Sequence, residues 1–129
     1  MGLKPVDSKA YFFDTYAFIE AINGNKNYQP YMKGSTIITT MLNLMELHYI
    51  TLKDIGERMA DTHYEFFKGL AIEISDDIIK KANRFRYANR KKGLSYVDCI
   101  SYTIARMRGI PFLTGDNAFK GMEGVEFVR

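Results

Sequence analysis

The stretch AYFFDTYAFI, Ala10 to Ile19, decides how this chain is read. Tyr11, Phe12 and Phe13 form an aromatic run without apolar–polar alternation, the pattern of a strand covered on both faces and therefore central in its sheet. Thr15, Phe18, Ile19 and Ile22 then recur at helical spacing. Asp14 falls between the two patterns, at the carboxyl end of a buried strand, where open α/β sheets bind their ligands. The same position suits an N-cap, whose side chain accepts a backbone N–H two or three residues on. Cap and ligand-contacting acid are both open readings of Asp14, and residues elsewhere must decide between them.

Downstream, Asn23 to Lys33 mixes Gly24, three Asn and Pro30, a loop leading into a short helix. Ser35 to Thr39, STIIT, is β-branched enough for a second strand, and Thr40 is placed to cap a helix over Met41 to Lys53. Leu44, Met45, Leu47 and Ile50 make the apolar stripe of that helix, with Glu46 at its edge. Asp54 is expected to cap a further helix through Phe67, and Leu70 to Ser75, LAIEIS, alternates like a third strand. Ser75 opens a helix with Ile78, Ala82 and Phe85 on its apolar side, and Gly93 is expected to end it. Ser95 opens another, in which Val97, Ile100, Ser101, Ile104 and Met107 are expected to be buried, up to Arg108-Gly109. Ile110 to Thr114, IPFLT, is a fourth strand and Val125 to Val128 a fifth, with a turn or helix start at Gly115-Asp116-Asn117 between them. Strands that alternate with helices predict an α/β domain in three layers, a central and mainly parallel five-stranded sheet with helices on both faces.

Composition sets the outer bounds. At 129 residues, 47% hydrophobic and 26% charged, residues 1–129 fit a single domain with a full core. A single cysteine, Cys99, rules out an internal disulfide and lies between Val97 and Ile100, where a small buried hydrophobe is expected. The polar start MGLKPVDSK has no signal-peptide core, and Val6 stands where myristoylation expects Ser or Thr. No apolar run approaches the roughly 20 residues that cross a bilayer, so a soluble, cytoplasmic protein is expected. The net charge of +3 favours an anionic partner without the density of a dedicated nucleic-acid module.

Three acids share a position rule. Asp14 follows the first strand, Asp116 follows the fourth, and Asp98 lies in the first turn of the helix leading into the fourth. In a parallel sheet these positions meet at one edge, and Glu46 joins them if its helix begins there. Carboxylates a few ångströms apart repel, so the group needs a cation among its members. Without a Cys/His cluster the ion expected is hard, Mg²⁺ or Mn²⁺, rather than zinc. Each acid has a plainer role open to it: Ser95-Tyr96-Val97-Asp98 has capping-box spacing, Asp116 suits a turn, and Glu46 suits a solvated helix edge.

At this point the chain resembles the PIN-domain family, and within it the small ribonuclease toxins of the VapC type. The resemblance rests on FFDTYAFIE, NLMELHYI, LSYVDCISYTIAR and FLTGDNAF, in the family's order and over nearly the whole chain. It implies a central first strand, flanked by the second and third on one side and the fourth and fifth on the other. It also implies a metal-dependent nuclease site at the carboxyl edge, with Asp14, Glu46, Asp98 and Asp116 as the acidic quartet and Thr114 as a supporting hydroxyl. Toxins of this type commonly form homodimers and are held inactive by a cognate antitoxin. The chain departs from many relatives in carrying Tyr16 where they have a small hydroxyl residue, two positions after the first Asp.

The function expected from the sequence is therefore Mg/Mn-dependent endoribonuclease, hydrolysing RNA by metal-activated water, as the toxin of a toxin–antitoxin pair. The cations of Arg84, Arg86, Arg90, Lys91 and Lys92 are either an RNA-tracking face or a solvated helix face. His48 and His63 have no Ser or Cys partner at a hydrolase spacing, and neither GxGxxG nor GxxxxGK[ST] occurs. Two rivals stand beside the nuclease: a receiver-like phosphoacceptor domain, and a non-catalytic PIN-like domain that binds RNA or a partner protein. The first lacks the adjacent acidic pair it needs after strand one. The intact acids count against the second.

Overall fold

The computed structural model describes residues 9–129; the readings of the polar start and of Val6 fall on residues outside them. β1, Ala10–Phe13, lies inside a four-stranded sheet of order β2-β1-β3-β4, with β2 at Thr36–Ile38, β3 at Phe112–Thr114 and β4 at Val125–Phe127. Every pairing is parallel. Parallel neighbours need crossovers, and helices supply them: α1 (Thr15–Ile22), α2 (Gln29–Gly34), α3 (Met41–Asp54), α4 (Glu57–Phe67), α5 (Asp76–Ala88) and α6 (Tyr96–Arg108).

The aromatic run behaves as its pattern requires. Tyr11 and Phe13 point into one core with Phe18, Leu44, Leu47, Phe67 and Leu113, under α1, α3 and α4. Phe12 points into the other with Cys99, Tyr102, Ile104, Phe112 and Phe119, under α5 and α6. Alternate residues of one strand thus serve the two faces of a three-layer domain. In-register pairing of Phe12 with Phe112 stacks their rings, with centroids 5.8 Å apart. Among the described residues no helix is long and apolar enough to cross a membrane.

Four expectations need correction. The third of the five expected strands does not form: Leu70 to Ser75 makes one parallel bridge, Thr39 to Ala71, through the Ile72 N–H on the Thr39 carbonyl (2.9 Å) and the Thr39 N–H on the Leu70 carbonyl. A 3₁₀ turn over Lys68–Leu70 and the Ser75 cap of α5 leave too little extended chain for a ladder. Asp54 ends α3 rather than capping α4, which starts after Gly56. Helix α5 stops at Ala88, before Gly93, because the Asn89 side chain donates to the Phe85 carbonyl (2.9 Å) and closes the last turn. Met107, expected to be buried, is 44% exposed, and Met45, on the apolar stripe of α3, is 56% exposed.

Phe12 is fully buried between the sheet and α6, so the cavity left by Phe12→Ala is expected to cost about 3–5 kcal/mol of unfolding free energy in urea titration. A loss below about 1 kcal/mol would place Phe12 outside the core.

Candidate active site

The register that pairs Phe13 with Leu113 carries on to set Asp14 beside Thr114, where both strands leave the sheet. The Thr114 hydroxyl, fully buried, donates to Asp14 Oδ2 (2.8 Å), and the Thr15 N–H donates to Oδ1 (2.8 Å). Asp14 is therefore the N-cap of α1 while its carboxylate faces a cleft. Helix α6 runs back toward the start of β3 through Gly109–Pro111, so its own first turn lies at the carboxyl edge and brings Asp98 there. Helix α3 starts beside β2 at the same edge, capped by Thr40, and presents Glu46 one turn in.

All four predicted acids, Asp14, Glu46, Asp98 and Asp116, line one cleft of ≈ 680 Å³. Met45, Tyr49, Ile50 and Ile19 form its apolar wall. Neither histidine lines it; His48 is paired instead with Asp61 (2.8 Å). The plainer roles hold as well. Asp98 completes a capping box, its Oδ2 accepting the Ser95 N–H (2.9 Å) while its own N–H donates to Ser95 Oγ (3.0 Å). Asp116 caps a 3₁₀ turn, Oδ1 accepting the Ala118 N–H (3.0 Å), and donates its N–H to the Thr114 hydroxyl (3.1 Å).

Sequence reading missed the polar web beneath Glu46. The Thr15 hydroxyl donates to Glu46 Oε1 (2.7 Å). Asn43, fully buried, offers its amide N–H to that hydroxyl (3.4 Å), and its Oδ1 accepts from Thr40 (2.6 Å) and Ser101 (3.1 Å). The signal was the spacing i, i+3: Asn43 with Glu46 on α3 and Ser101 with Asp98 on α6 each put a polar residue on the face of an acid. Gly115 is the other missed position. A Cβ there would meet the Tyr16 ring and the Val128 carbonyl, so the departure at Tyr16 is accommodated by the absent side chain at Gly115.

Charge follows burial. Asp14 is 4% exposed, and desolvation, reinforced by the charges of Asp98 and Glu46, pushes its pKa up to about 7 against the hydrogen bonds from Thr114 and Thr15. Burial also raises Glu46, against the Thr15 hydrogen bond, with the Asp98 charge adding to the rise. Among the described residues, no three His, Cys, Asp or Glu side chains form a ready-made cage for an ion. The donor set fits a hard divalent cation that keeps several waters and takes one or two carboxylates directly, as Mg²⁺ does.

The PIN domain family model matches residues 11–125. The chain belongs to the PIN domain family. Among solved structures, VapC20 of Mycobacterium tuberculosis, a toxin that cleaves the sarcin-ricin loop, superposes with a TM-score of 0.77 at 19% identity, over 93% of this chain and 99% of that one. A toxin–antitoxin complex from Klebsiella pneumoniae gives 0.71 at 21% identity, covering 91% and 96%. VapBC2 of Rickettsia felis, bound to a DNA fragment from its promoter, gives 0.70 at 20% identity, covering 92% and 97%. At such identities the likeness is one of fold. No curated protein matches the chain by sequence. Among the described residues this PIN domain has four ladder strands where the resemblance implied five, in the expected order around β1.

The raised Asp14 pKa fixes a sign. Between about 3.8 and about 7 the folded state holds a proton that the unfolded state has lost, so stability falls as pH rises through that window and levels off above it. In chelator, urea unfolding is expected to show this decline in the wild type and a flatter profile in Asp14→Asn. Parallel profiles for the two proteins would mean that Asp14 ionises normally.

Proposed function

We propose that this PIN domain is a metal-dependent endoribonuclease acting as the toxin of a toxin–antitoxin pair. The observation that carries the reading is Asp14, a buried acid with an elevated pKa that faces Asp98 and Glu46 across a cleft at the carboxyl edge of a parallel sheet. The fold shared with solved toxins, two of them in complexes with antitoxins, supports the toxin role and an antitoxin partner.

Asp14, Asp98, Asp116 and Glu46 are the residues that would hold Mg²⁺ or Mn²⁺, directly or through water. Such an ion supplies an activated water and offsets charge on the scissile phosphate. The remaining chemistry belongs to the chain. Glu46 has Oε1 fixed by Thr15, so its carboxylate is held in one orientation, and burial raises its pKa, which makes the carboxylate a stronger base than an exposed one. Thr114 positions Asp14 and, through its accepted bond from the Asp116 N–H, ties the two strand-end acids together. The apolar wall of Met45, Tyr49 and Ile50 removes water from one side of the cleft, which strengthens electrostatic interactions within it.

The exposed apolar side chains of α3 and α4, among them Tyr49 at 64% and Phe66 at 76%, support a second copy of the chain as a further partner. Sedimentation at micromolar concentration is expected to show a dimer, and monomer alone would remove that part of the reading. RNA cleavage is expected to require Mg²⁺ or Mn²⁺ and to stop in Asp14→Asn while the variant keeps its cooperative melt. Undiminished cleavage after rigorous chelation would overturn the metal requirement, wild-type turnover by Asp14→Asn would remove Asp14 from the catalytic role, and no cleavage of RNA by the wild type in either ion would overturn the nuclease assignment and leave a binding domain.

A further inference from the structure

A second cleft, of ≈ 390 Å³, opens between the end of α5 and the start of α6, lined by Asn83, Arg86, Tyr87, Arg90, Leu94 and Tyr96 among others, with no carboxylate in its lining. Two cation–aromatic pairs build it. The Arg86 guanidinium lies 3.7 Å from the centroid of the Tyr96 ring, and that of Arg90 lies 4.5 Å from the Tyr87 ring. Both are held by the backbone: Arg86 Nε donates to the Leu94 carbonyl (3.3 Å) and Arg90 Nη1 to the Tyr87 carbonyl (2.9 Å). Each guanidinium has five N–H donors, so most remain for a ligand. Tyr87 and Tyr96 are nevertheless 70% and 63% exposed. Among the described residues none of Arg84, Arg86, Arg90, Lys91 and Lys92 forms an ion pair, whereas Lys81, on the same helix, pairs with Asp77.

Cations near a helix C-terminus are favoured by its dipole, and that accounts for positive charge at the end of α5. It does not account for two exposed tyrosines, each with a fixed guanidinium against its ring. Such a surface suits a ligand that has both an anionic backbone and flat apolar faces. Position adds a second argument. Tyr96 and Asp98 share the first turn of α6, Tyr96 lining this cleft and Asp98 the acidic one. The two clefts thus flank one helix turn, within reach of neighbouring nucleotides of a single strand.

We propose that the α5–α6 cleft is a nucleotide subsite for single-stranded RNA, stacking an unpaired base on Tyr96 or Tyr87 while Arg86 and Arg90 take the flanking phosphates. This inference rests on the ribonuclease reading and deepens it. The subsite selects single strands and loops over duplex, because a base inside a helix has no free face to offer. Stacking is tolerant of base identity, so the selection is for unpaired structure more than for sequence.

The test is fluorescence anisotropy with a short, labelled, mixed-sequence oligoribonucleotide in excess chelator, where cleavage does not intervene. A cleavage assay in Mg²⁺ and sedimentation of the same proteins run alongside. Tyr96→Ala and Tyr87→Ala are each expected to weaken binding of the single strand by about tenfold. Tyr96→Phe retains affinity, and the same RNA annealed to its complement is insensitive to all three. Arg90→Gln lowers the slope of log affinity against log salt by about 1. Both tyrosines are exposed, so their truncation spares the core, and unchanged melting temperatures check this.

Wild-type binding that both alanine variants preserve would overturn the subsite, as would absence of single-strand binding by the wild type. Retained RNA affinity with altered sedimentation would also overturn it, by giving this face to protein contact. The ribonuclease reading has its own readout: a wild type that binds in the expected pattern but does not cut in Mg²⁺ supports the subsite and fails the nuclease. Cleavage without sensitivity to the tyrosines does the reverse.

Discussion

A carboxylate with almost no access to water, and with like charges for neighbours, is the constraint around which this domain is arranged. Asp14 follows directly on a strand buried on both faces, so the backbone gives it no route to solvent except the cleft it helps to line. Two hydrogen bonds, from the Thr15 N–H and the Thr114 hydroxyl, compensate part of the desolvation. They do not cancel it, since the pKa still stands near 7. A buried acid left in that condition favours either a proton or a cation, and the fold is stable with the first while its neighbours invite the second.

How far this was legible beforehand depends on the kind of signal. Tyr11 to Phe13 announced a central strand because burial on both faces suppresses alternation, and its two cores are where that pattern requires. The acids announced themselves by position relative to strands and helix starts, and one edge does collect all four. Leu70 to Ser75 misled because alternation is a local property, whereas a ladder needs a neighbour over several residues. The Lys68–Leu70 turn and the α5 cap leave room for one bridge. The bonds that Asn43 and Thr15 make were hidden for a different reason. Spacing puts Thr15 on the packed stripe of α1 and Asn43 on the face of Glu46, but which polar atoms meet there is set only when α3 packs on α1 and α6.

Charge is divided along the molecule in a way that its net value of +3 conceals. Acids gather at the carboxyl edge of the sheet, and unpaired cations gather at the end of α5 and the turn that follows, on either side of the first turn of α6. Each group would be costly beside a second of its own kind. Placed next to one another they make a surface that suits a polyanion whose reacting phosphate is taken at the acids while its neighbours rest on arginine. Tyr16 and Gly115 fit the same account at smaller scale. The bulky ring occupies space beside the first acid that the missing Cβ of Gly115 leaves open, so the cleft keeps its acids despite the larger residue.

From sequence, a plainer structural role and ligand contact stood as competing readings of each acid. The geometry removes the competition, because a carboxylate has two oxygens. Asp98 gives Oδ2 to the Ser95 N–H, Asp116 gives Oδ1 to the Ala118 N–H, and Glu46 gives Oε1 to the Thr15 hydroxyl. In each of the three, the other oxygen accepts no hydrogen bond among the described residues. Asp14 alone has both oxygens engaged, and it is also the most deeply buried. The bonds that start α1, α6 and the turn after β3 are thus the bonds that fix the orientation of the acids, so folding and site geometry share atoms. Carboxylates held in this way lose little further freedom when they meet a cation or a phosphate-bound water. The bonds that supply this preorganisation come from two helix starts at Asp14 and Asp98, the turn after β3 at Asp116, and the Thr15 hydroxyl at Glu46.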